Sequence, residues 1–453
     1  MSTQNLNRII LTIACFINLL VATNAFLHNP SVGYDSKEHL NYISVVAVHL
    51  PTKSESGEYY SPPLPYFLPS LIFQLCKSGT IACRYIAGKF AQGINLILSI
   101  GITTLLIKLA ELIKPKNQHF KIATLLIFGL FTVYYKTFSQ VRGEPYLAFF
   151  EVLSIYLVLK LVRTPETLTL KDGVFLGICL GGLGLSRQWG FLLFPAIVCI
   201  ALLTFVENKT FGFKYGETIL LSFFIAFITC GWFYIYLNHT YGSFTAFNIK
   251  PRTFSFSNQP VSFYRSTGIE NLLLFRSPTR RAFDDQFIPI FYSDTWGDYW
   301  CYFTCVREMQ LSGHIGYTTN KTDISPYLGR VNLVSLLPSF IVTAGMILGL
   351  RSLIQSLSSK SLSFESQAFA FLFLIVLISL IGYLWFLIKY PLLPREATIK
   401  ATYMIQIFTV LPCLAANFLE NIRITKPWIY RICITLILVV FVHNLPAMIT
   451  RYW

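Results

Sequence analysis

Apolar residues run in long blocks along this chain, and polar residues fall mostly between the blocks. A helix needs about 20 mostly apolar residues to cross a bilayer. Candidate runs lie near 9–27, 86–107, 122–138, 146–162, 173–186, 189–205, 217–237, 332–350, 366–388, 401–418 and 430–447. The pattern predicts an all-α polytopic membrane protein with about 11 transmembrane helices. The stretch from Gly173 to Phe205 is too long for one straight span and too short for two full ones. Gly181-Gly182-Leu183-Gly184-Leu185-Ser186-Arg187-Gln188 breaks it, which predicts a tight hairpin with Arg187 at its tip. Two segments, 28–83 and 239–330, lack the block pattern and are rich in Tyr, Phe and Pro. They predict two long loops carrying short interfacial helices. The expected organisation is a membrane module over 1–238 that includes the first loop, a large loop over 239–330, and C-terminal membrane helices over 331–453.

Composition agrees with the blocks. Of 453 residues, 54% are hydrophobic and only 13% charged, against about a quarter charged in a soluble domain. A disordered chain, a coiled coil and a disulfide scaffold are excluded. The net charge of +15, from 36 Lys+Arg against 21 Asp+Glu, has no polar domain to sit on, which argues against nucleic-acid binding. Its explanation is topological. Only Arg8 precedes the first span and no clean cleavage site follows it, so the span reads as a retained anchor with a cytoplasmic N-terminus. Short inner connections and flanks then carry fifteen basic residues. Short outer ones carry seven: Lys136, Arg142, Arg187, Lys389, Arg395, Lys400 and Arg451. That bias places both long loops outside.

Some chemistry is absent from the sequence. It has neither a phosphate-binding P-loop nor a dinucleotide-binding glycine fingerprint. Cys301-x-x-x-Cys305 lacks nearby His, which argues against zinc. Cys76 and Cys83 lie on the outer side and are compatible with either a bridge or free thiols.

The polar residues near the membrane edge are the candidates for function. Asp35, Glu38, His39 and Tyr42 fall at i, i+3, i+4 and i+7, one face of a helix just past the first span. They read as a solvated interfacial helix, or as a carboxylate cluster at the mouth of a cavity. Tyr59-Tyr60-Ser61-Pro62-Pro63-Leu64-Pro65-Tyr66 predicts a rigid aromatic segment along the interface. Arg142 and Glu144 occupy a very short outer turn, and a carboxylate there is costly unless it has a task. Arg187 and Lys400 are outer cations that read as interfacial anchors, or as partners of a lipid phosphate. Asp294 and Asp298 sit among four aromatics, which suits either sugar recognition or a packed turn.

Together these segments resemble the GT-C superfamily of integral-membrane glycosyltransferases, in its protein O-mannosyltransferase and aminoarabinose-transferase-like branch. The likeness rests on Tyr34-Asp35-x-x-Glu38-His39-x-x-Tyr42 after the first span and on Pro62-Pro63-Leu64-Pro65-Tyr66. Arg84-Tyr85 at the second span, Val141-Arg142-Gly143-Glu144-Pro145, and the glycine-rich hairpin from Gly177 to Pro195 add to it. It covers roughly residues 8–205, and beyond that only the span pattern and Lys400-x-x-Tyr403 fit. Members often carry paired acids after the first span and a His before the two prolines. Here Ser36 follows Asp35 and Ser61 precedes Pro62, so a divalent cation has no support in the motif.

The resemblance implies a sugar donor on a polyprenyl phosphate, a protein, lipid or glycan acceptor, and a single inverting displacement at the outer face. Asp35 would be the general base, with Glu144 orienting the acceptor or supporting that base. Arg187, Lys400 and Arg142 would meet the leaving phosphate. Glu38, His39, Tyr42, Tyr60, Arg84, Tyr403, Asp294 and Asp298 would line the substrate site. Two rival readings remain at this stage: an O-antigen polymerase or ligase type of enzyme, and a lipid or sugar transporter or flippase.

Overall fold

The computed structural model describes residues 2–164, 168–207, 209–266, 268–280, 282–283, 285–304, 324–358, 363–391 and 399–452. Cys305, Arg395 and part of the 239–330 loop lie outside the described residues. The helices are α1 (Thr3–Leu27), α2 (Ser36–Val45), α3 (Leu64–Leu75), α4 (Thr80–Ile113), α5 (Gln118–Leu130), α6 (Thr132–Ser139), α7 (Glu144–Arg163), α8 (Leu170–Ser186) and α9 (Leu193–Glu207). They continue as α10 (Lys209–Tyr241), α11 (Val261–Tyr264), α12 (Phe287–Trp296), α13 (Ile324–Val334), α14 (Leu336–Ser358), α15 (Phe364–Lys389), α16 (Ile405–Thr425) and α17 (Pro427–Asn444). No strand occurs among the described residues.

Nine helices among the described residues are long and apolar enough to cross a membrane, and ten if the bent pair α5–α6 counts as one span. Helix α8, with 17 residues, is the first arm of the expected hairpin and packs along α10. The run expected as one straight helix over 122–138 is instead bent by 63°. The bend falls at Phe131, whose backbone is extended. It turns Lys136 away from lipid and onto Asp294 of α12, where both side chains are fully buried. A lone ammonium at that depth would be costly, so the bend gives it a partner.

Burial separates the core helix from the rim. In the apolar window that includes α16, 94% of residues are buried inside the protein, against 17% for α17. α16 packs on α5, α7, α14 and α15, while α17 leaves Trp428, Leu436 and Val442 to face outward.

Polar side chains tie the helices together. Asn18 of α1 reaches Thr103 of α4 at 2.9 Å, and Ser99 accepts from Tyr134 of α6 at 2.7 Å. Gln92 and Asn95, one turn apart on α4, donate to the carbonyls of Ser139 (2.6 Å) and of Phe138 and Gln140 (3.1 and 2.9 Å). These bonds satisfy the carbonyls at the end of α6 where no water would. They also fix the turn that carries Arg142 and Glu144.

The two ends of the bundle differ. At one end Lys114 pairs with Glu365, and Glu420 with Arg423 and Asn117. At the other end the starts of α4, α7 and α16 meet the ends of α1, α8 and α15, together with α2, α3 and α12. The chain's last described residues return to this second end. Thr450 N donates to Asn24 Oδ1 and Asn29 N to the Tyr452 carbonyl, both at 2.8 Å.

Candidate active site

Asp35 is the residue that turns the chain from α1 into α2. Its backbone is left-handed (φ 55°, ψ 22°), a conformation that Asp tolerates better than most residues. It occupies the N-cap position of α2, yet its side chain makes no capping bond. The four-residue face expected over 35–42 is therefore split. Asp35 lies outside the helix, and its carboxylate reaches the Lys400 ammonium at 3.2 Å (Oδ2 to Nζ). The Asp35 side chain is 45% exposed and that of Lys400 14%, so the pair sits at the floor of an open recess. The Lys400 charge, with His39 and Arg142 behind it, holds the Asp35 carboxyl down at about 2 against the pull of burial. Burial pulls the Lys400 ammonium down most strongly of any single cause, but Asp35 and Tyr403 together outweigh it and push the lysine up.

Lys400 is held by its backbone. Its N–H donates to Tyr383 OH of α15 at 2.8 Å, and that hydroxyl donates back to its carbonyl at 3.1 Å. Trp300 Nε1 holds the carbonyl of Ile399 at 3.0 Å, and Asp294 accepts from Ala401 N at 2.7 Å. Asp294 also accepts from Tyr34 OH at 2.9 Å. It thus fixes the neighbours of both Asp35 and Lys400, and at 0% exposure it has no face for a sugar. Asp298 is equally committed, accepting from the backbone N–H groups of Tyr302, Phe303 and Thr304. The expected sugar contacts at Asp294 and Asp298 give way to a scaffold role.

Behind the recess lies a buried charge network. Arg142 makes a two-point contact with Glu144, at 2.6 and 2.7 Å. Arg187 Nε lies 3.2 Å from the same carboxylate, and Arg187 Nη1 donates to Glu58 at 3.1 Å and Ser61 Oγ at 2.6 Å. Glu144 is 0% exposed, with both oxygens on arginines, so it cannot orient an acceptor. Its role is to position two cations.

His39 sits on the buried face of α2. Its Nδ1 is 3.0 Å from Tyr66 OH, and its Nε2 has no partner among the described residues. Burial holds it down at about 4 despite nearby Glu58, so it is neutral at neutral pH. Tyr42 donates to the Ser61 carbonyl at 2.8 Å, and Glu38 accepts from Gly57 N at 2.6 Å. Both brace the 56–61 loop. Arg84 donates to Ser44 at 3.4 Å, a contact on the flank of α2.

A cavity of about 220 Å³ opens beside this network. One end is polar, formed by Arg187, Ser61 and Tyr403. The walls are aromatic, with Tyr60, Trp189, Phe247 and Phe386 prominent, and Trp385 exposed at the outer edge. Tyr403 joins the cavity to the recess, since Lys400 Nζ donates to its hydroxyl at 3.3 Å. The structure thus gathers Asp35, His39, Tyr60, Arg142, Glu144, Arg187, Lys400 and Tyr403 around two connected spaces.

Sequence reasoning missed Glu58, and it quoted Tyr34 and Tyr66 within motifs without nominating them as site residues. Glu58 had a signal: it is an acid directly before Tyr59-Tyr60-Ser61-Pro62. Among the described residues no group of three or more His, Cys, Asp or Glu stands together as metal ligands. Beside Asp35 the positive charge comes from Lys400.

No protein-family model matches the sequence, and no curated protein matches it. Solved structures do match. The oligosaccharyltransferase of Archaeoglobus fulgidus aligns in its complex with zinc and sulfate at TM-score 0.51 and 11% identity, over 97% of this chain and 53% of that one. Its apo form aligns at TM-score 0.50 and 14% identity, over 97% and 56%. The chain therefore spans about half the length of those proteins. At such identities the likeness shows the fold alone: an all-helical, multi-pass membrane fold of the GT-C type.

Proposed function

We propose that this protein is a membrane glycosyltransferase that moves a sugar from a polyprenyl-phosphate carrier to an acceptor hydroxyl. The observation that carries the reading is the joint placement of Asp35 and the cavity. A carboxylate free of any capping duty stands in an open recess, one lysine and one tyrosine away from a cavity with cationic end and aromatic walls. An isoprenoid chain suits the walls, and a phosphate suits Arg187, Tyr403 and Lys400.

In the reaction, the acceptor oxygen attacks the sugar carbon that bears the phosphate. The C–O bond to phosphate breaks as the new bond forms, which inverts that carbon. The acceptor proton passes to Asp35 as general base. The electron pair leaves on the phosphate, where Arg187 and Lys400 meet the developing charge. Arg142, clamped by Glu144, stands behind them. The lipid phosphate carries the leaving-group chemistry, so no nucleotide domain is needed.

Two features support an outer-face site. The basic flanks gather at the opposite end of the bundle. A disulfide joins Cys76 to Cys83 at the site end, which fits an oxidising compartment. The motif likeness favours the O-mannosyltransferase and aminoarabinose-transferase-like branch, which transfers one sugar at a time. The fold neighbours are oligosaccharyltransferases by name, and transfer of a larger glycan by this chain would contradict the branch assignment.

The test is transfer from a synthetic polyprenyl-phosphate sugar by purified full-length protein in lipid nanodiscs. Asp35→Asn should reduce turnover by at least about 10² to 10⁴-fold, the usual worth of general base catalysis, with folding intact. Near-normal transfer by that variant would sink the base assignment.

A further inference from the structure

The three cations of the site are held in different ways. Arg142 and Arg187 are 2% and 6% exposed. Each meets carboxylates through two nitrogens. Such contacts are geometrically locked and expensive to break. Lys400 meets Asp35 through one contact of 3.2 Å, and that carboxylate is 45% exposed. A single half-exposed contact is easier to exchange than a buried two-point clamp. The Lys400 backbone is pinned from three sides, by Tyr383 directly and through its neighbours by Trp300 and Asp294. Its four-carbon stem has the intrinsic flexibility that an arginine fork clamped on two atoms has lost. The ammonium already touches Tyr403 OH at 3.3 Å, and Tyr403 is a wall of the cavity.

We propose that Lys400 is an exchangeable counter-ion. It masks the Asp35 carboxylate until a donor enters, then transfers its ammonium to the donor phosphate, so that the base is released only in the donor complex. This rests on the glycosyltransferase reading and adds an order to it: lipid phosphate first, base second. The exchange breaks one ion pair and forms another, with no covalent change. A phosphate oxygen in the polar end of the cavity would reach the ammonium along the path Tyr403 marks, and two negative charges would otherwise compete for one cation.

Several other groups face the pair. Around Asp35 they are His39 on α2, Arg142 in the turn before α7 and, further off, Glu58. Around Lys400 they are Tyr403, Arg142 and Tyr302, with the Tyr34 ring 5.0 Å from the ammonium. Arg142 cannot take over from Lys400, because Glu144 holds it on two atoms. His39 cannot, because it is neutral. Release of Lys400 therefore leaves Asp35 without a close counter-ion among the described residues, and its pKa rises from about 2 towards the ordinary 3.8. A base that remained fully paired would be a poor proton acceptor.

The test reads Asp35 itself. A water-soluble carbodiimide with an amine nucleophile modifies protonated carboxyl groups, and peptide mass spectrometry follows Asp35 in the full-length protein at pH 5. Each unit of upward shift gives roughly a tenfold higher protonated fraction. Saturating polyprenyl phosphate should raise the initial modification rate more than tenfold, and polyprenol of equal length should leave it unchanged. Lys400→Gln should start from the raised rate and respond little to the lipid phosphate, while Lys400→Arg should keep the low resting rate. Polyprenyl phosphate that binds without changing the wild-type rate overturns the exchange and leaves the transferase reading standing. A Lys400→Gln response as large as the wild-type one also overturns it, because the phosphate would then act on Asp35 directly. Failure of polyprenyl phosphate to bind at all removes both readings. The wild-type comparison of phosphate with alcohol decides the matter even if the Gln variant does not fold.

Discussion

Glu144→Gln keeps the size and shape of a buried side chain and removes one charge. In the wild type that carboxylate takes two bonds from Arg142, at 2.6 and 2.7 Å, and lies 3.2 Å from Arg187. The two arginines do not lose equally. Arg187 keeps Glu58 at 3.1 Å and Ser61 at 2.6 Å. Among the described residues Arg142 keeps Gln140, at 3.2 Å, and the faces of Tyr34 and Tyr403, 5.4 and 5.7 Å away. Removing one partner of a buried pair costs about 3–5 kcal/mol, because a charge is stranded. The amide oxygen of Gln restores one neutral hydrogen bond of about 1 kcal/mol. The net loss should be about 2–4 kcal/mol, read as a lower thermal unfolding midpoint in detergent. If stranding is the cause, removing the stranded charge must help. The double variant Arg142→Met with Glu144→Gln should therefore be more stable than Glu144→Gln alone. A double variant as unstable as the sum of the two singles would refute the account, and so would a Glu144→Gln protein with unchanged stability.

Three further outcomes follow from the same geometry. His39 is held at about 4 against an ordinary 6.5, so the unfolded chain binds a proton first as pH falls; stability should drop between pH 6.5 and 4 at up to about 1.4 kcal/mol per unit, and His39→Gln should flatten that part of a denaturation-against-pH curve. Gly143→Ala would place a Cβ 2.5 Å from the Ser186 carbonyl and 3.1 Å from Arg187; a clash with backbone should cost about 1–3 kcal/mol, shift the hairpin tip, and raise KM for the lipid donor more than it lowers kcat. In intact cells Cys76 and Cys83 should resist a membrane-impermeant maleimide until a reductant is added, then react from outside; labelling only after permeabilisation would place the site on the other face.

The fold was legible where the chain is monotonous and illegible where it is short. Long apolar blocks allow one solution in lipid, so the spans fall close to their expected positions. The bend at Phe131 carries no proline, and its one local cue is Gly129, two residues before it. The bend brings Lys136 to Asp294, 158 positions on, a pairing that local pattern cannot contain. The same limit explains the acids. Asp35, Glu144, Asp294 and Asp298 look alike in sequence, each a carboxylate beside aromatics near a membrane edge. What separates them is which donors surround each one. Asp298 meets backbone N–H groups, Glu144 meets arginines, and Asp294 meets Lys136, Tyr34 and Ala401. Asp35 alone of the four keeps substantial exposure. Glu58 was overlooked because its meaning lies in Arg187, 129 positions on.

Charge arithmetic over the cluster links the base to the leaving group. Asp35, Glu58 and Glu144 carry three negative charges. Arg142, Arg187 and Lys400 carry three positive ones. With His39 neutral, the cluster sums to zero before substrate enters. A sugar phosphodiester brings one negative charge, and after the sugar departs the phosphate monoester carries close to two. Among the described residues the cluster holds no spare cation for the second charge. Under the proposed reaction it does not need one, because the acceptor proton neutralises Asp35 as the phosphate leaves. The cluster becomes +1 in the same step that the leaving group gains its extra charge. This coupling predicts an unusual phenotype for Asp35→Asn. The Asn leaves the cluster at +1 from the start and frees Lys400, so polyprenyl phosphate should bind several-fold more tightly while sugar transfer is lost. Isothermal titration of the lipid phosphate into wild type and variant decides it. Weaker binding by Asp35→Asn would show that Asp35 holds the donor, and the base assignment would fall with the charge argument.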